Sequence, residues 1–233
     1  MDWMAISISL KLAGVTGLLL LPMGFALAYW LAFSESRLRK PIEILTLLPL
    51  ILPPTVLGLY LLLAFSPPIG GDGSLVTWWQ SAAQALGLQG LAFRFEGLVL
   101  ASLIANLPFM VQPIVRSLAS IPQSLRETAW TCGLSKWQTL WKVEIPLAWP
   151  GVVTGLALTA AHTLGEFGVV LMVGGNLPGE TRTLSIGIYD RVQAFDMSGA
   201  NQMAAVLLGI SVTTLAGILF LSRKRDWLGQ RSA

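Results

Sequence analysis

His162 and Glu166 stand four residues apart in a stretch, 149–173, that is otherwise free of charge. Helical spacing puts them on one face, imidazole next to carboxylate. Such a pair can bind a metal, relay a proton, attack a bond or lock a helix in place. A metal site needs more ligands, and the chain has no other His and a single Cys, Cys132, outside this stretch. An intramembrane enzyme built on the pair lacks a nucleophile–base–orienter set. A proton relay through Glu166 would make a proton-coupled carrier. A structural or gating role would have Glu166 bonded to His162 or to a helix terminus.

The elements that position this pair follow from composition. Of 233 residues, 54% are apolar and 12% charged. Soluble domains carry about a quarter charged residues, so lipid is the expected solvent. Mid-membrane carboxylates cost about 2.5–3.5 kcal/mol unless paired, so Glu166 must face protein or water. No stretch reads as a separate soluble catalytic domain, and 1–233 reads as one membrane domain without enzymatic activity. The net charge is +3, with basic residues in short clusters between apolar runs, a pattern that does not suggest nucleic acid. One Cys allows no disulfide within the chain.

A helix crosses the hydrocarbon core with about 20 apolar residues. Charge-free runs of that order occupy 12–33, 44–65, 97–115 and 203–221, and 149–173 makes a fifth. The expected class is all-α and polytopic, with five spans. Arg37, Arg39, Lys40, Arg116, Arg126, Lys136, Lys142, Arg223, Lys224, Arg225 and Arg231 follow the odd spans, whereas only Arg94, Arg182 and Arg191 follow the even ones. The positive-inside rule then puts the N-terminus outside and the C-terminus and 116–148 in the cytoplasm. Ala26-Leu27-Ala28 could pass for a leader cleavage site, but no basic residue precedes Lys11 and a basic cluster follows the span. Only twelve residues follow Leu221, so no appended domain is expected.

Pro22 interrupts the first span, Pro49, Pro53 and Pro54 the second, and Pro108 and Pro113 the third. Single prolines are tolerated in membrane helices, but three in one span point to a real distortion. The outer segment 66–96 carries Pro67-Pro68, a glycine-rich turn at 70–73, and Trp78 and Trp79 as interfacial anchors. The other, 174–202, opens on Gly174-Gly175. Either could receive an external partner.

Segment 116–148 reads as two short helices. Ser120 and Gln123 offer a capping box with Pro122 in the first turn, for a helix from about Pro122 to Cys132. Gly133 suits a left-handed cap. Ser135 and Gln138 offer a second capping box, for a helix ending near Lys142, after which Pro146 restarts the chain. Leu134, Trp137 and Trp141 share one face and Gln138 and Lys142 another, so an interfacial helix with Trp anchors is an equal reading of the residues alone.

Glu127-Thr128-Ala129, three residues, Gly133, nine residues, then Val143-Glu144-Ile145-Pro146 resembles the EAA motif of bacterial ABC importer permeases, with Thr128, Val143 and Ile145 as conservative departures. The resemblance implies the type I importer permease fold, with Glu127, Ala129, Gly133, Ile145 and Pro146 in a coupling loop, about 120–146, that docks on an ATPase. Leu164-Gly165-Glu166-Phe167-Gly168, Gly174-Gly175-Asn176 and 178–184 look like the molybdate branch of the molybdate, tungstate and sulfate importers, as does 47–58. Sulfate permeases share much of the Leu-Gly-Glu-Phe-Gly signal, and the run 178–184 is what tilts the resemblance to molybdate. The resemblance covers essentially the whole chain. It implies a homodimer in the bacterial inner membrane, two cytoplasmic ATP-binding subunits holding ATP and Mg, no cofactor on this chain, and a periplasmic molybdate-binding protein.

An oxyanion pathway would need weak neutral donors. Thr55, Ser102, Asn106, Thr159 and Thr163 are candidates, each equally readable as helix packing. Glu166 is a gate candidate, because its ionised form would repel an oxyanion. A proton-coupled anion carrier using Glu166 remains the alternative of a different class.

Overall fold

The computed structural model describes residues 2–67 and 75–229. The 70–73 turn, Pro68 and Arg231 lie outside them. Among the described residues there are helices and turns but no strand.

Helix α1 (Trp3–Phe33) starts on Asp2, whose carboxylate accepts from the Ala5 amide at 3.0 Å, and runs unbroken through Pro22. Next come α2 (Arg39–Ile51) and α3 (Pro54–Phe65), bent by 111°. The expected second span is therefore a broken pair. Pro49, Pro53 and Pro54 withdraw backbone donors close together, and a following proline drives Leu52 and Pro53 into extended conformations, with ψ of 137° and 136°. Helix α4 (Leu75–Ala85) lies in the segment 66–96 that joins α3 to α5, where the Trp79 indole donates to Tyr60 O at 2.8 Å and Trp78 stays exposed. Helix α5 (Phe95–Ala119) passes through Pro108 and Pro113 without a break.

Then follow α6 (Gln123–Thr131), α7 (Lys136–Thr139), a wide turn at Leu140–Glu144, and α8 (Ile145–Gly165). The expected restart at Pro146 does not occur. Ile145 N bonds to Leu140 O, five residues back. The widened turn relieves the clash of the proline ring with the carbonyl four residues earlier. Lys136–Gly165 is thus one helix of 30 residues, about 45 Å long. The expected fourth span breaks instead at its other end: Glu166 is extended (ψ 131°), and the chain resumes as α9 (Gly168–Gly174). Helices α10 (Leu184–Gln193) and α11 (Met197–Gly229) complete the fold. Asp196 caps α11 through Gly199 N at 2.9 Å and pairs with Arg191, and together these hold its carboxyl below the usual range.

Helices α1, α5 and α8 pack on one another as the hub. Gly151 and Gly155 let α8 approach α5: a Cβ at Gly151 would lie 2.6 Å from Pro113 O, and one at Gly155 2.8 Å from Met110 O. Small residues four apart serve such contacts where lipid gives helices no hydrophobic drive to associate. Gly151→Leu is expected to cost about 1–3 kcal/mol by overpacking. Thermal unfolding of the detergent-purified chain checks this against Gly14→Leu, where nothing lies within 4 Å. Helix α11 packs on α8 and α10 but leaves Leu208, Val212 and Phe220 facing outward.

The charges segregate. Arg39, Arg126 and Lys136 line one chamber at the α6–α7 end. At the opposite end Arg182 reaches toward Asp2 at 3.8 Å, and Arg94 lies near Lys11.

Candidate functional site

The two helix breaks meet. A Cβ at Gly168 would lie 2.7 Å from Pro54 Cβ, and one at Gly58 2.7 Å from Met172 Cβ. Half-helices α3 and α9 therefore run side by side from their first turns, each just past its own interruption. Irregular backbone at membrane depth is tolerated only where protein or a cavity covers it. Here each break helps to cover the other.

A polar chain leads into this junction. Asn106 Nδ2 donates to Ser102 O at 2.8 Å, and its Oδ1 lies 3.0 Å from His162 Nδ1. His162 stacks on Phe109 at 4.2 Å and places Nε2 3.4 Å from Glu166 Oε2. Glu166 Oε1 accepts from Val169 N at 3.0 Å, and Glu166 O accepts from Ser185 Oγ at 2.7 Å. The carboxylate thus holds both His162 and the first turn of α9. Ser102, Asn106, His162 and Glu166 form one connected set. Thr163 does not join it, because its hydroxyl is spent on Thr159 O at 2.7 Å. Thr159 is buried, its hydroxyl without a hydrogen-bond partner among the described residues. Thr55 is exposed on the first turn of α3, beside the junction but outside the network.

Glu166→Ala is expected to remove the α9 cap at a cost of about 1 kcal/mol. Glu166→Gln keeps an acceptor for Val169 N and should retain the fold. Thermal unfolding of the two variants in detergent checks this: Glu166→Ala should unfold earlier than Glu166→Gln.

The run 178–184 has a structural task. Thr181 is buried, donates to Gly174 O at 2.6 Å and accepts from Leu177 N at 3.2 Å. Arg182 Nε donates to Asn176 Oδ1 at 2.6 Å, and its Nη2 lies 3.3 Å from Asp190. Ser9 Oγ accepts from Leu184 N at 2.8 Å, pinning this turn to α1.

At the far end of α8, the knuckle forms much as its sequence suggests. Gly133 takes φ +84°, and Leu134 N closes back on Ala129 O at 3.0 Å. Ser135 and Gln138 form a reciprocal capping box. The first box is absent: Ser120 Oγ donates to Ser117 O at 2.7 Å, and Pro122 stands at the N-cap of α6. With φ fixed and no N–H to offer, Pro122 starts the helix without help from a hydroxyl. Ala129 is buried, and Glu127 is exposed with Gln123 Nε2 at 2.8 Å. Ile145 is half-buried and Pro146 exposed at the base of α8.

Sequence reasoning missed the anchor of this knuckle. Arg126 Nε lies 2.8 Å from Glu144 Oε1, with side chains only 14% and 4% exposed. The guanidinium also sits over the Phe33 ring at 3.5 Å, and Tyr29 lines the same chamber as Glu144. One ion pair therefore ties α6 to the wide turn below α8 and to α1. The available signal was Glu144 itself, an acid at the threshold of an apolar span.

Breaks paired within the helical bundle, a polar chain running into them, and a capped knuckle fused to one rigid helix together define the membrane-spanning subunit of a transporter. The chain belongs to the family of binding-protein-dependent transport system inner membrane components, which it matches over residues 21–232. It is 43% identical over 225 residues to the molybdenum transport system permease protein ModB of Azotobacter vinelandii, covering 96% of this chain and 95% of that one. It is 34% identical over 174 residues to a probable sulfate transport system permease protein, cysT, of Chlorokybus atmophyticus, covering 75% and 58%. The crystal structure of a bacterial alginate ABC transporter bound to its periplasmic protein superimposes with TM-score 0.74 at 20% identity, over 95% of this chain and 78% of that one, a likeness of fold.

Proposed function

We propose that this chain is the permease subunit of an importer for molybdate or tungstate in the bacterial inner membrane, non-catalytic itself and driven by ATP hydrolysed with Mg on a partner. It works as a homodimer with two cytoplasmic ATP-binding subunits and a periplasmic molybdate-binding protein. The knuckle faces the cytoplasm, the N-terminus lies outside, and the chain binds no cofactor. The similarity to the Azotobacter permease over nearly the full length of both chains supports molybdate over sulfate.

One observation carries the mechanism: the knuckle and the junction of the two breaks are the two ends of one uninterrupted helix, Lys136–Gly165. Glu127, exposed on α6, meets the ATPase. Ala129 packs inward, Gly133 sets the elbow, and Ile145 and Pro146 lie at the base of α8, where the knuckle passes into the lever. Movement of the knuckle during the nucleotide cycle tilts α8 and shifts its far end against α9 and α3. Glu166 holds that gate through His162 and the α9 terminus. Ser102 and Asn106 are hydrogen-bonding groups along the approach, and Thr55, Thr159 and Thr163 offer hydroxyls around it. Selectivity rests mainly with the delivering protein.

Reconstitution with the ATPase and the binding protein tests this. Molybdate and tungstate should raise ATP turnover and drive uptake, with sulfate much weaker. Uptake that survives ATP depletion but collapses with the proton gradient would instead make the chain a secondary carrier.

A further inference from the structure

Two cavities adjoin at the knuckle end and differ in character. One, about 860 Å³, is polar and charged, lined by Arg39, Arg126, Lys136, Glu35 and Glu144 among others. The other, about 850 Å³, is an apolar groove between α1 and the α7–α8 helix, in which Lys136 is the only charged residue among the described ones. Tyr29 and Lys136 line both, so the apolar groove opens at its end into the polar chamber.

Length, polarity and charge fit one kind of molecule. From Lys136 to Val152 the groove follows α7–α8 for about 24 Å at 1.5 Å per residue. One leaflet with its headgroup zone is about 20 Å thick. Trp137, Trp141 and Trp149 line the groove, as befits the membrane interface. Trp137 and Trp141 are exposed and meet edge to face at 5.7 Å. In the chamber Arg126 and Glu144 neutralise each other at 2.8 Å. Among the described lining residues Arg39 and Lys136 then stand against Glu35, an excess of positive charge at the mouth of an apolar slot.

We propose that this composite groove binds one anionic phospholipid from the leaflet at the knuckle end, its acyl chain along α1 and α8 and its phosphate against Lys136 and Arg39. The bound lipid bridges α1 to the first residue of α7 and so restrains the knuckle. The inference requires only that the knuckle end lie at a membrane surface, so it stands whichever anion is transported.

The full chain, reconstituted in vesicles of phosphatidylethanolamine and phosphatidylglycerol in equal parts, is irradiated with a photoreactive acyl chain carried on one lipid or the other. The phosphatidylglycerol probe should label 21–29 and 137–152 well above 208–220, and the phosphatidylethanolamine probe should not. Lys136→Gln should lower that labelling about fivefold. Ala26→Trp should lower it while keeping the charge, since Ala26 is an exposed position that opens onto the groove. Equal labelling by the two probes, labelling spread evenly over α1 and α11, or capture of a second copy of the chain at Trp137 would overturn the proposal. The labelling pattern of the unsubstituted chain decides the matter even if a variant fails to fold.

Discussion

Replacing Arg126 with methionine is expected to destabilise the knuckle end by about 3–5 kcal/mol, because Glu144 is left as a buried charge without its partner. Both side chains are nearly enclosed, so solvent cannot take over from the lost guanidinium. Truncation also removes the cation from the Phe33 ring, a contact worth about 0.5–2 kcal/mol. The double variant Arg126→Met/Glu144→Leu should recover most of the loss, since a buried ion pair and a well-packed apolar pair differ little in net stability. Thermal unfolding of the two single variants and the double variant in detergent gives the coupling energy. If Arg126→Met unfolds like the unsubstituted chain, the ion pair does not anchor α6. Coupling should follow the same order: substrate-stimulated ATP turnover falls in each single variant and returns in part in the double.

Gly133→Val should leave the bundle folded and strip the knuckle of its shape. Gly133 sits at φ +84° with nothing within 4 Å of where its Cβ would be, so the penalty is one of backbone conformation and not of crowding. A non-glycine residue there costs roughly 1–2 kcal/mol, and β-branching adds to this. That lowers the equilibrium constant for forming the docking-competent knuckle about tenfold. Affinity for the ATPase should weaken by up to the same factor, measured by titrating the purified subunits. Unfolding of the hub, built from α1, α5 and α8, should be unchanged. A variant that binds the ATPase with undiminished affinity would show that the left-handed elbow is not needed for docking.

Local signals were legible where the chemistry is local. Gly133, Ser135 and Gln138 act on their own neighbours, so spacing alone placed the elbow and the second cap. The three prolines of the second stretch foretold a distortion, because each acts through its own ring and its missing donor. Ser120 misled for the opposite reason: a hydroxyl can choose between the helix before it and the one after, and packing gave it to Ser117 O. Pro146 misled because a wide turn can absorb a proline that a regular helix cannot.

Apolar run length was enough to determine an all-helical membrane chain and its approximate spans, and Gly133 with its flanking caps the knuckle between two of them. These properties depend on transfer to lipid and on short-range geometry, which composition and spacing encode directly. Tertiary structure alone decided that the break at Pro53–Pro54 lies on the break at Glu166, that Asn106 reaches His162 across 56 residues of sequence, and that Arg126 closes on Glu144. Each of these is a meeting of distant segments. It depends on which helix faces which, and close approach at Gly58, Gly151 and Gly168 is part of what permits those pairings.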